Sequence, residues 1–193
     1  MATEFELKFR ADADTLAAIE AAFPGAYRVI PMRTTYYDTP AGELSALRWT
    51  LRRRLEGDRS VCTLKVPGAN GARGEFEVDR DDIHAAIDEL CKLSSCPQLA
   101  QLVTNGLVEV CGAAFTRRCV DLVLPDCTVE LALDRGVLLG GGRELPLCEC
   151  EAELKTGSQA AAVAFGQELA RRFDLVPEAK SKFRRALDLA KGD

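Results

Sequence analysis

Cys148-Glu149-Cys150-Glu151-Ala152-Glu153-Leu154 alternates without a break, carboxylates on one parity and cysteine or aliphatic side chains on the other. A period of two sends successive side chains to opposite faces of a strand, so three acids share one face and the apolar residues share the other. A face that merely meets water mixes Ser, Thr, Gln and Lys among its charges. Three consecutive glutamates on one face point instead to a cation or an anion-bridging metal, because carboxylate oxygens are the donors that suit hard divalent ions.

Working outward, the same alternation recurs in short segments bounded by turn residues. Thr3–Phe9, Arg33–Tyr37, Arg48–Leu55, Ser60–Val66, Gly74–Val78, Ala114–Leu124, Cys127–Leu133, Arg135–Leu139 and Leu145–Leu154 read as strands. Glu56-Gly57-Asp58-Arg59, Pro125-Asp126 and Gly140-Gly141-Gly142 read as the turns between neighbours. Helical periodicity is confined to four places: Thr15–Phe23 after Asp12 or Asp14, a helix from Asp81 through Leu90, one from Ser158 to Phe173, and Lys180–Leu189. Strands dominate and the helices are peripheral. The expectation is one α+β domain over residues 1–193, built on a closed eight-stranded antiparallel β-barrel.

The polar parity of these strands carries two opposite populations. Its acids are Glu4, Glu6, Glu75, Glu77, Glu130, Asp134, Glu149, Glu151 and Glu153; its bases are Lys8, Arg52, Arg54, Lys65 and Arg117. A one-sided sheet with exposed cross-strand ion pairs explains charge in general. It does not explain Glu-x-Glu-x-Glu on one strand and Arg-x-Arg on another. A barrel with the charged face inward does: the bases hold an anion, and the carboxylates hold divalent cations that bridge to it.

Composition narrows the field. The 193 residues, 47% of them hydrophobic, suit an ordinary domain with a sizeable core. No apolar run is long enough for a membrane span, and the start, Met1-Ala2-Thr3-Glu4, lacks the basic and apolar regions of a signal peptide, so a cytoplasmic location is expected. A net charge of −5 argues against general nucleic-acid binding. The eight cysteines lack zinc-site spacing, and with His84 the only histidine they read as small buried hydrophobes. The single histidine also weighs against Ser-His-Asp and Cys-His hydrolases.

Glu4-Phe5-Glu6-Leu7-Lys8 resembles the Glu-x-Glu-x-Lys signature of CYTH domains, the triphosphate tunnel metalloenzymes. Other motifs follow in that family's order: Tyr36-Tyr37-Asp38-Thr39-Pro40, Leu51-Arg52-Arg53-Arg54, Thr63-Leu64-Lys65, Phe115-Thr116-Arg117, Val129 to Gly136, Glu149 to Gly157 and Ser181-Lys182-Phe183. The likeness spans Glu4 to about Leu187 and is strongest to bacterial inorganic triphosphatases. The resemblance implies a tunnel in which Lys8, Arg52, Arg54, Lys65, Arg117 and Lys182 bind phosphate oxygens. It implies Mg²⁺ or Mn²⁺ on Glu4, Glu6, Asp134, Glu149, Glu151 and Glu153, with Glu4, Glu6, Lys8, Glu149 and Glu151 as the catalytic set. Glu75 and Glu77 match a more variable acidic pair, and Lys180 competes with Lys182 for its role.

The implied activity is metal-dependent hydrolysis of inorganic triphosphate to pyrophosphate and phosphate. The same tunnel also suits a thiamine triphosphatase, an RNA triphosphatase or a class IV adenylate cyclase, and a non-catalytic polyphosphate- or nucleotide-binding module would use the same bases. The expected partner is a small-molecule triphosphate rather than a membrane, and association as a homodimer is compatible with the sequence.

Overall fold

The computed structural model describes residues 5–68 and 73–192. The alternating segments form strands β1 (Glu6–Arg10), β2 (Arg28–Asp38), β3 (Thr50–Glu56), β4 (Arg59–Pro67), β5 (Arg73–Asp79), β6 (Val108–Val123), β7 (Cys127–Gly140), β8 (Arg143–Gly157) and β9 (Val176–Pro177). The helices are α1 (Ala13–Ala22), α2 (Glu43–Ala46), α3 (Ile83–Ser94), α4 (Gln98–Leu102), α5 (Gln159–Phe173) and α6 (Lys182–Lys191).

All nine strands join one antiparallel sheet in the order β5-β4-β3-β2-β6-β7-β8-β1-β9. The expected closed eight-stranded barrel is therefore corrected to an open nine-stranded sheet: among the described residues, end strands β5 and β9 share no ladder. One cause is local. β9 has two residues and ends in Pro177, which has no N–H to continue a ladder. The sheet nonetheless curls, since residues from β1 through β8 line one cavity of about 450 Å³.

Helices cover the convex face in two places. Leu51, Cys62, Leu64 and Val78 of β3–β5 pack against Ile83, Ile87 and Leu90 of α3 and Leu99 of α4. Phe9, Val120, Leu131, Leu133 and Cys150 pack against Leu16 and Ile19 of α1 and Leu169 of α5. Each long helix starts on a side-chain cap that meets the orphan N–H groups of its first turn. Asp12 accepts from Thr15 N at 2.7 Å, Asp82 from Ala85 N at 2.9 Å and Ser158 from Ala161 N at 3.3 Å. The cap of α3 is Asp82, one residue beyond Asp81. The two segments Cys127–Leu133 and Arg135–Leu139 prove to be one strand, because Asp134 keeps the parity and simply faces the polar side.

α6 alone lies on the concave face, where Ala186 packs with Met32, Ala113, Phe115, Leu138 and Leu147. Its seat depends on Gly140 at the end of β7. A Cβ there would stand 2.8 Å from Ala190 N and closer still to Ala186 O. The helix thus fills the concave face near the β7–β8 turn and presents its first turn, Ser181 to Phe183, to the cavity.

Candidate functional site

The concave parity of each strand supplies the site. Glu6 and Lys8, Arg52 and Arg54, Lys65, Glu75 and Glu77, Arg117, and Glu149, Glu151 and Glu153 all line the cavity. Arg53, between two of them, takes the opposite face and donates to Ser60 Oγ at 3.1 Å. Glu4 lies outside the described residues.

Register sorts the charges into walls. In the β1–β8–β7–β6 ladders Glu6 sits across from Glu153, Glu153 from Glu130 and Glu130 from Asp121, an acidic row spanning four strands. Two rungs deeper, Glu149 pairs with Asp134 and Asp134 with Arg117. Directly opposed like charges destabilise a sheet, so the outer row is braced by cations. Lys155 bonds Glu153 at 3.0 Å, Lys8 lies 3.6 Å from Glu6, and Arg28 bridges Glu130 at 2.5 Å and Asp121 at 3.3 Å.

The deeper acids form the centre. Asp134, Glu149 and Glu151 are buried, and each brings a carboxylate oxygen within 4.8 Å of the others. Three cations surround them. Lys182 Nζ contacts Asp134 at 2.9 Å, Glu151 at 2.6 Å and also Glu149. Arg117 forks onto Asp134 at 2.8 and 2.7 Å and reaches Glu151, while Arg185 donates to Glu149 at 2.5 Å. Burial pushes the Glu149 carboxyl up to about 7 against the pull of Lys182, and the neighbouring Glu151 adds to the rise. Burial also works to raise Glu151, yet Lys182 and Arg117 together hold it well below the usual carboxylate range. Burial works against the charge of Lys182, but the acids outweigh it and hold its pKa above that of an ordinary lysine.

This donor set fits a hard divalent cation: three buried oxygen ligands on rigid strands, with the ionised form of Glu151 favoured. Asp134 and the Glu149–Glu151 pair are the expected metal residues that the fold brings together. Glu6 and Glu153 stay in the shallower row and are not among the three clustered acids.

The opposite wall is basic. Arg52 donates to Glu75 at 3.1 Å, Lys65 meets the same Glu75 at 2.5 Å, and Glu77 accepts from Thr63 at 3.0 Å. Glu75 and Glu77 therefore serve the bases rather than the buried acidic centre. Arg52 Nε is buried and has no hydrogen-bond partner among the described residues. Arg54 donates to Thr34 at 3.2 Å and has its nearest carboxylate, Glu56, at 3.6 Å. Burial, with Arg52 and Arg117 nearby, pulls its pKa below the ordinary arginine value. A desolvated guanidinium among other cations is a ready receptor for an anion.

Several placements bear on the sequence reading. Lys180 turns away from the centre to bond Asp188 at 2.9 Å, which leaves the inward role to Lys182. Tyr36 is buried and stacks on Phe183 with ring centroids 4.9 Å apart, a packing role. His84 is exposed on α3. Arg185, absent from the candidate set above, belongs to the centre, as does Glu178, which Arg185 and Arg10 approach at 3.5 and 3.2 Å. The spacing of Lys182 and Arg185 was the available signal, because residues three apart share a helix face.

Comparison with known proteins agrees with this arrangement. The CYTH domain family model matches residues 2–187. An inorganic triphosphatase of Haemophilus influenzae is 28% identical over 153 residues, a match covering 78% of this chain and 44% of that protein, so the chain spans less than half of its length. A Hippeastrum protein, described as an adenylyl cyclase candidate with a dominant triphosphatase activity, superposes with a TM-score of 0.67 at 17% identity, over 100% of this chain and 97% of its own. A candidate adenylate cyclase of Bacillus halodurans superposes with a TM-score of 0.63 at 16% identity, covering 95% of this chain and 96% of its own. These two likenesses establish the shared fold.

Proposed function

The chain belongs to the CYTH domain family, and from that premise we propose that it is a metal-dependent triphosphatase that hydrolyses inorganic triphosphate to pyrophosphate and phosphate. The observation that carries the reading is the pairing of two unlike walls across one cavity. Arg52, Arg54 and Lys65 line one side and Glu149 and Glu151 the other, with fully buried Asp134 clustered beside that acidic pair. A polyanion satisfies the first and a divalent cation the second. Among the described residues the aromatic side chains lining the cavity are Tyr36 and Phe183, and they pack against each other, which favours a substrate without a base. The inorganic triphosphatase of Haemophilus influenzae supports the same substrate.

In this reading Arg52 and Arg54 offer forked donors to phosphate oxygens, while Lys65 and Lys8 act as point charges. Asp134, Glu149 and Glu151 would hold Mg²⁺ or Mn²⁺, which supplies charge neutralisation at the phosphoryl oxygens during transfer. Arg117 fixes the Asp134 carboxylate by a two-point bond, so that ligand is already oriented. Glu6 and Glu153, facing each other in the β1–β8 register, stand on the same face as Lys8 and Glu151 and are placed to orient the attacking water.

The test is phosphate release from tripolyphosphate, thiamine triphosphate, ATP and pyrophosphate, each with Mg²⁺, Mn²⁺ or a chelator. Tripolyphosphate is expected to turn over fastest, and only with added metal. Formation of cyclic AMP and pyrophosphate from ATP would replace this reading with a cyclase. Hydrolysis that persists in chelator would remove the metal from it.

A further inference from the structure

The three-carboxylate centre is already full. Both oxygens of Asp134, both of Glu149 and both of Glu151 bond a cationic side chain. Three carboxylates face three cations, Lys182, Arg117 and Arg185, so the charges balance without any metal once all three acids are ionised. A divalent ion added to it brings two uncompensated charges into a buried place, which is prohibitive unless a resident cation leaves.

Which cation yields follows from how each is held. Arg117 forks onto Asp134 through two nitrogens, and Arg185 lies outside the cavity lining, tied also to Glu178. A forked guanidinium gives up two bonds at once. Lys182 differs. Its ammonium is the one group that touches all three acids, occupying the point where their oxygens converge. It is a compact charge on a flexible four-carbon stem, it lines the cavity, and it opens α6, whose cap Ser181 is preceded by irregular chain. Rotation about the stem can carry the ammonium toward the cavity without moving the helix.

We infer that Lys182 is the resident cation of the acidic centre in the substrate-free protein, and that a divalent metal is held there only when the ammonium swings out, a movement that bound triphosphate favours. The inference rests on the hydrolase reading for the identity of the anion. It makes metal and triphosphate mutually dependent ligands: the departing ammonium needs an anion, and the vacated acids need a cation. By linkage each then strengthens the other equally. Lys182 is in this sense a positioning residue that changes partner between the empty and the loaded tunnel.

Two measurements on substrate-free protein test it without turnover. Mn²⁺ binding, followed by the loss of the free-ion EPR signal, is compared between the wild type and Lys182→Met. The variant is expected to bind at least about tenfold more tightly, within the usual range of such couplings. Equal or weaker binding by Lys182→Met overturns the inference and leaves the hydrolase reading intact. Binding by neither protein overturns both. Should Lys182→Met fail to fold, the wild type still decides. Nitrogen-15 NMR of lysine ammonium groups, assigned with Lys182→Arg, is expected to show the slowly exchanging Lys182 signal lost on addition of Mg²⁺ at saturating concentration. A Lys182 signal unchanged while Mg²⁺ is bound overturns the exchange.

Discussion

At the scale of single residues, the side of the strand that a charge occupies decides its role. Arg52 and Arg53 are adjacent, yet Arg52 faces the cavity and Arg53 bonds Ser60 on the convex face. Arg52→Ala is therefore expected to raise KM for tripolyphosphate by about tenfold to a hundredfold, the size of a lost charge-assisted bond. Arg53→Ala should leave KM within about twofold, because surface substitutions away from a site act weakly. Steady-state kinetics of the two variants check the contrast, and equal effects would refute the assignment of faces. The cysteines make a second residue-scale prediction. Burial pushes the thiols of Cys62 and Cys111 up to about 11 and about 12, and raises that of Cys150 further. Below those values the thiols stay protonated and unreactive. Iodoacetamide at pH 8 should modify half-buried Cys91 and Cys96 while sparing Cys62, Cys111 and Cys150, as peptide mass mapping would show. The alternation of Glu and Arg was legible in sequence because a strand's period is two. The Arg185–Glu149 bond was not, since it joins a helix to a strand and no local spacing encodes where α6 docks.

At the scale of elements, boundaries follow from caps and turns more than from hydrophobic runs. Ser158 was readable as the start of α5, and the structure places it there. α2, α4 and β9 were not, being four, five and two residues long, too short to show a period. The Tyr-Tyr-Asp-Thr-Pro stretch owes its turn to Asp38. This buried carboxylate accepts from Thr39 N and Leu44 N at 2.8 Å and from Ser45 N at 3.1 Å, tying the end of β2 to α2. Asp38→Ala leaves those donors unmet and should lower stability by about 1–3 kcal/mol. For a chain of this size that lowers Tm by about 2–12 °C. Calorimetry checks it, with the KM for tripolyphosphate as a control expected to hold. Gly140→Ala acts differently. Its Cβ would meet the backbone of α6, so the helix must shift and carry Lys182 with it. Activity is expected to fall by about tenfold or more, a loss that misplacement of a catalytic group readily produces.

For the whole molecule, folding and ligand binding in the cavity are linked. A ligand present at about a hundred times its Kd stabilises the folded state by about 2.7 kcal/mol. Tripolyphosphate with Mg²⁺ should therefore raise Tm by about 5–10 °C, and Tm measured in chelator should lose most of that gain. No shift would deny the cavity its anion. The antiparallel sheet and its charged inner face were legible in sequence, because alternation reports faces and turns report neighbours, whereas the seat of α6 on the concave face was not. Closure was not legible. It depends on whether the two edge strands, β5 and β9, meet, and that pairing lies far from any local pattern.

An open sheet leaves two edges, and an unpaired edge invites a second molecule to add its own strand. The edges here are poor templates. β9 offers two residues, one of them a proline without a donor, and β5 carries Glu75, Glu77 and Asp79 along its length. Self-association through either edge would have to begin on a ladder that cannot propagate or beside a row of like charges. The concave face can stay open to an anion while the edges remain closed to another sheet.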